Sequence, residues 1–177
     1  SVKHPAIELL FTVEEDTGLT GATGLKPGTL KGKYLINIDS ENDNIFTVGC
    51  AGGKDTHIEL DLDYEEVPND YVAMHVMVGG CTGGHSGENI INERANAIRV
   101  LARVLHRIRE HTDVRLIGVL GGTAHNAIPR DAEATFYVPV SDSDKVAEIV
   151  SGNHETIRSE FAVTDPGLSI SLKTLHQ

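Results

Sequence analysis

Residues 6–13, AIELLFTV, are apolar at every position but two. A run of that length with apolar groups on both sides suits a strand covered on both faces, as in parallel α/β sheets. YLINID, 34–39, has the same character, and IFTVGCAGG, 45–53, predicts a third short strand closed by glycines. Between the first two lies EEDTGLTGATGLKPGTLKG, rich in Gly and Thr. It predicts a short helix capped by Asp16 or Thr17 and stopped by Gly24 or Pro27.

After Lys54 the pattern changes. HIELDLDYEEV, 57–67, alternates apolar and polar and predicts a half-exposed antiparallel strand. A Pro-Asn-Asp turn leads into DYVAMHVMVGG, 70–80, a further strand. Over 90–109 the apolar groups fall at 90, 91, 97, 98, 101, 104, 105 and 108, which is helical spacing. DVRLIGVLGG predicts a strand, GTAHNAIPRD a loop and AEATFYVPV another strand. SDSDKVAEIVSGNHETIRSEFA, 141–162, predicts a helix capped by Ser141 or Ser143 and bent at Gly152; LSISLKTL closes with a strand. From about residue 70 the order is β-α-β-β-α-β, the ferredoxin-like pattern. The expected fold class is therefore an α/β segment, residues 1–53, followed by an α+β domain, residues 54–177, with the boundary near AGGKD.

The chain has 177 residues, 40% of them hydrophobic, so it can bury a core. Its net charge is −11, with few aromatics and no Trp. That balance argues against nucleic acid or an anionic membrane as a partner. No run approaches the roughly 18 apolar residues of a membrane span. Two cysteines, Cys50 and Cys81, make no disulfide framework, which points to a reducing cytoplasm. The abrupt start and the stop just after a strand fit either a natural domain or part of a longer protein.

Candidate chemistry sits at segment ends. Glu14-Glu15-Asp16 and Asp39 each terminate a predicted strand. In open α/β sheets ligands gather outside the carboxyl ends of strands. Neighbouring strands would bring Glu15, Asp16 and Asp39 to one edge, where a divalent cation offsets their repulsion and one carboxylate is left as a general base. The plainer alternative is that these acids only cap the following helix and complement its dipole. GGCTGGHSGEN, 79–89, crowds glycines around His85, either a hydrogen-bond donor to a substrate oxygen or an exposed loop histidine. Asn126, in GGTAHNAIPRD, either binds a polar substrate group or fixes its loop, and His125 beside it stays open as a substrate contact.

Taken in order, HPAIELLFTVEEDTGLTGATGLKPG, LINIDSE, GCAGG, GGHSG, ERANA and GGTAHNAIPRDA resemble the M20 family of dinuclear zinc peptidases, and within it the aminoacyl-histidine (Xaa-His) dipeptidases. The resemblance implies an internal part of such an enzyme: a catalytic-domain segment over 1–53 and a lid and dimerisation domain over 54–177. By the same resemblance Glu15 is the general base, Asp16 a metal ligand, Asp39 a ligand of the other zinc, and His85 and Asn126 bind substrate. Two zinc ions are implied, with manganese or cobalt as alternatives, together with a dipeptide substrate, a homodimer through the lid and a cytoplasmic location. The family pattern Asp-Glu-Glu reads Glu14-Glu15-Asp16 here, which keeps the base and shortens the ligand by one methylene. The family's His-x-Asp pair, bridging aspartate and late histidine have no match, so the chain alone is expected to be inactive. The rival readings are a non-catalytic lid or dimerisation module, and an M20-type amidase acting on N-acyl amino acids.

Overall fold

The computed structural model describes residues 2–15, 18–39, 43–50, 52 and 54–175. The chain divides into two compact units, Ser1–Glu59 and Leu60–Gln177.

The second unit is built on a four-stranded antiparallel sheet. Its strands are β1 (Tyr71–Gly79), β3 (Arg115–Gly121), β5 (Ala132–Pro139) and β6 (Ser169–Leu175), in the spatial order β3-β5-β1-β6. Helix α2 (Ala97–Arg109) connects β1 to β3, and α3 (Ser143–Glu160) connects β5 to β6. Two further strands of two residues each, β2 (Gly84–His85) and β4 (Ala127–Ile128), form a separate pair. The order and connectivity are ferredoxin-like, as the pattern of apolar positions predicts.

The core follows from that periodicity. Alternate residues of β5, Ala132, Ala134, Phe136 and Val138, are buried, and Met74, Val76 and Val78 of β1 lie in the same cluster. Val100, Leu101, Val104 and Ile108 of α2 and Val146, Val150 and Ile157 of α3 complete it. Phe136, Val76 and Val104 are fully shielded from water. Each such side chain contributes about 1.5–3 kcal/mol by leaving solvent.

Helix α2 starts later than the expected residue 90. Residues Ile90–Asn92 form a single 3-10 turn, and Glu93 then takes a left-handed conformation (φ 53°) that ends it. The helix begins after Asn96, whose side chain accepts from the Arg99 N–H at 3.2 Å. His106, Arg107 and Arg109 in its last turn suit the negative end of the dipole. Helix α3 runs through Gly152 without interruption. A Cβ there would meet nothing within 4 Å, so no packing demand bends the helix. Neither expected serine caps it: Asp142 precedes the helix and makes no side-chain cap bond.

The first unit departs further from expectation. Its only element among the described residues is a one-turn helix, α1 (Thr20–Thr23), ending at Gly24. None of 6–13, 34–39 or the described part of 45–53 forms a strand, and neither does 57–67, most of which belongs to the second unit. Their apolar side chains are exposed, Phe11 at 88% and Ile38 at 91%. A strand exists only as part of a ladder, and among the described residues these runs have neither a pairing strand nor a covering layer. Local ties remain. The Glu8 carboxylate accepts from the N–H groups of Lys31 (2.9 Å) and Gly32 (2.7 Å).

Candidate functional site

Strands β2 and β4, distant in sequence, pair as a short antiparallel ladder that brings the two substrate-binding candidates together. His85 stands opposite Ala127, and the Ser86 N–H donates to the Asn126 carbonyl at 2.8 Å. His85 is exposed and Asn126 half-buried. Three glycines give this stretch its shape. Gly83 and Gly84 sit at φ 68° and 140°, where a side chain is strained, and a Cβ on Gly83 would strike the Arg130 side chain at 2.5 Å. Gly87 lies so close to the His85 ring that a Cβ would be 3.1 Å from it.

The ring of His85 is held in one orientation. Its Nδ1 lies 3.1 Å from the Gly87 N–H and 3.2 Å from the Glu88 N–H. Both are donors, so Nδ1 is the acceptor and the imidazole proton sits on Nε2. The His85 backbone is bracketed as well: its N–H donates to Asn89 Oδ1 at 2.8 Å, and its carbonyl accepts from the Asn89 N–H at 2.9 Å. The result is an exposed, neutral hydrogen-bond donor at Nε2. The spacing of His85 and Asn89 in GHSGEN was the signal for this bracket, and sequence reasoning passed over it.

Two arginines fasten the segment that leads into β2. Arg94 donates to the Gly83 carbonyl at 2.6 Å, and Arg130 Nε donates to the Cys81 carbonyl at 3.2 Å. A cleft of about 560 Å³ opens beside the β2–β4 pair, lined among others by Ser86, Arg94, Asn96, Thr123 and His125. His125 therefore faces the cleft, whereas its neighbour Asn126 contributes its carbonyl to the Ser86 N–H beside β2.

The acidic candidates belong to the first unit. Glu15 lies in a turn, its carbonyl accepting from the N–H groups of Gly18 (3.3 Å) and Leu19 (3.2 Å). Glu14 has a left-handed backbone (φ 57°), and its carboxylate accepts from the Thr20 hydroxyl. Asp39 is exposed, and its N–H donates to Asn37 Oδ1 at 2.9 Å. Asp16 lies outside the described residues. Among the described residues no three His, Cys, Asp or Glu side chains converge to hold a metal ion.

Comparison with known proteins decides the family. The model of the M20 family's peptidase dimerisation domain matches residues 74–165. The chain belongs to the M20 peptidase dimerisation-domain family. The matched span takes in most of β1, the β2–β4 pair, β3, β5 and helices α2 and α3. Over 175 residues, 99% of its length, the M20 chain is 38% identical to the cytosol non-specific dipeptidase of Escherichia coli (strain K12), of which it spans 36%. It also resembles the crystal structure of the aminoacylhistidine dipeptidase from Vibrio alginolyticus, with a TM-score of 0.70 and 28% identity over 94% of this chain and 34% of that one. The M20 chain thus spans about a third of the length of each relative.

Proposed function

We propose that the chain is the lid and dimerisation domain, with an adjoining catalytic segment, of a metal-dependent M20 dipeptidase of Xaa-His type. In this reading residues 1–53 belong to the catalytic domain and 54–177 to the lid. The observation that carries it is the 38% identity to a dipeptidase running along 99% of the chain. The acid-bearing segment and the His85 loop thus both fall within the span aligned with one enzyme.

Glu15 takes the proton from the attacking water and returns it to the leaving amine. His85 donates from Nε2 to the scissile carbonyl as that oxygen becomes an oxyanion; loss of one such donor costs about 10²–10³ in turnover. Asn126 binds a polar group of the dipeptide. Asp16 and Asp39 are the carboxylates offered to two zinc ions, or to manganese or cobalt. Two carboxylates are not a zinc site by themselves, so the other ligands belong to the remainder of a longer protein and the isolated chain is inactive.

The partner is a second copy of the same chain. Strand β3 is at the edge of the sheet, and every residue in it is exposed, including Leu116, Ile117, Val119 and Leu120. An open apolar edge invites pairing. A cytoplasmic location agrees with the name of the Escherichia coli relative and with Cys50 and Cys81 both being free thiols. Among the described residues no helix is long and apolar enough to cross a membrane.

The test is hydrolysis of Xaa-His dipeptides by the longer protein with Glu15→Gln. Turnover is expected to fall by at least about 10²-fold. Retained turnover removes Glu15 from the mechanism, and hydrolysis of N-acyl amino acids in preference to dipeptides moves the enzyme to the amidases.

A further inference from the structure

One carboxylate of the second unit is fully buried, and among the described residues no salt bridge reaches it. Asp165 has no exposed surface. Its Oδ1 accepts from the Thr82 N–H at 2.7 Å, and its Oδ2 accepts from the Ala95 N–H at 2.8 Å. The Thr82 hydroxyl donates to the adjacent Thr164 carbonyl at 2.8 Å. A buried charge is costly unless hydrogen bonds satisfy it, and here backbone N–H groups do so in place of a cation.

The two donors are not neighbours. Thr82 lies where the chain leaves β1, and Ala95 lies just before α2. Between them runs the segment that carries His85. One carboxylate therefore closes that segment at both ends, limiting the conformations open to it. The seat of Asp165 is itself fixed. Its N–H donates to the Phe161 carbonyl at 2.8 Å, and its carbonyl accepts from the Leu168 N–H at 3.0 Å. The turn after it presses against the exit of β1, where a Cβ on Gly80 would lie 2.1 Å from the Gly167 carbonyl oxygen. The junction thus joins the end of β1, the start of α2 and the connection from α3 to β6.

We propose that Asp165 is a positioning residue for His85: by tying Thr82 to Ala95 it closes the segment 82–95 and so holds the imidazole in the arrangement that presents its Nε2 proton. An ionised carboxylate suits this task because it accepts at both oxygens. An Asn at 165 would turn an amide donor toward one of the two N–H groups and lose that bond. The proposal rests on the reading of His85 as a substrate-binding group, but its first test does not depend on activity.

The test is nitrogen-15 NMR on the full chain with and without Asp165→Asn. The amides of Thr82 and Ala95 should exchange at least about tenfold faster. The His85 ring should pass from the single Nε2–H tautomer to a mixture, with Gly87 and Glu88 losing protection, while Val76 and Phe136 stay protected. Faster exchange at Thr82 and Ala95 with an unchanged His85 ring would overturn the proposal. If Val76 and Phe136 also lose protection, the fold has failed. Asp165→Glu then replaces the variant, since it keeps the charge but moves both acceptor oxygens by one methylene relative to the N–H groups of Thr82 and Ala95. A redistributed His85 tautomer upholds the tether, and an unchanged one overturns it. In the longer protein, a disturbed His85 ring with full dipeptide turnover would defeat the substrate-binding reading of His85 and leave the tether standing.

Discussion

The chain carries apolar runs of similar quality in two regions, and they end in opposite states. AIELLFTV in the first unit leaves Phe11 88% exposed, whereas AEATFYVP in the second buries Phe136 completely. The difference lies in the neighbours. Strand β5 has β1 on one side, β3 on the other, and α2 packed on its inner face. The run at 6–13 has no such ladder among the described residues. An apolar run states what a segment can bury, and the covering surface must be supplied elsewhere.

Truncating each aromatic sharpens this contrast most. Phe136→Ala is expected to cost about 3–5 kcal/mol, read as a lowered Tm or denaturant midpoint of the second unit. Acidification should divide the regions next. Burial opposes ionisation of Asp165, but the N–H groups of Ala95 and Thr82 and the hydroxyls of Thr164 and Thr82 outweigh it and hold the carboxyl below its ordinary range. A group whose folded pKa is depressed adds stability above its unfolded value, about 3.9 for Asp. That contribution is lost as pH falls through the folded value. Urea midpoints measured below pH 4 should therefore drop for the second unit, and Asp165→Asn should flatten the drop. The smallest effect is expected for Phe11→Ala in this chain, within about 0.5 kcal/mol. In a longer protein that completes the first unit's sheet, the same change should rise toward the cost of Phe136→Ala. An equal, small effect in both would break the comparison as drawn.

The candidate site was legible in parts that depend on local chemistry. Glycines around His85 announced a tight, exposed turn, and the structure shows that turn with two glycines at positive φ. Asn126 was singled out for its side chain, yet its carbonyl is what joins it to the His85 segment. Arg94 and Asp165 were missed because neither sits in a pattern that sequence spacing can reveal. Their partners are the Gly83 carbonyl and the backbone N–H groups of Thr82 and Ala95, and backbone groups carry no signature in a sequence.

By itself the sequence determined the order and type of β1, α2, β3, β5, α3 and β6, because alternation at period 2 and spacing near 3.6 report which face each segment will bury. It also pointed to a tight glycine turn beside His85. Tertiary structure alone decided which apolar runs are covered, where α2 begins, and which proton His85 carries. Each of these depends on groups that meet only after the chain has folded back on itself, such as a buried carboxylate reaching the two ends of one segment.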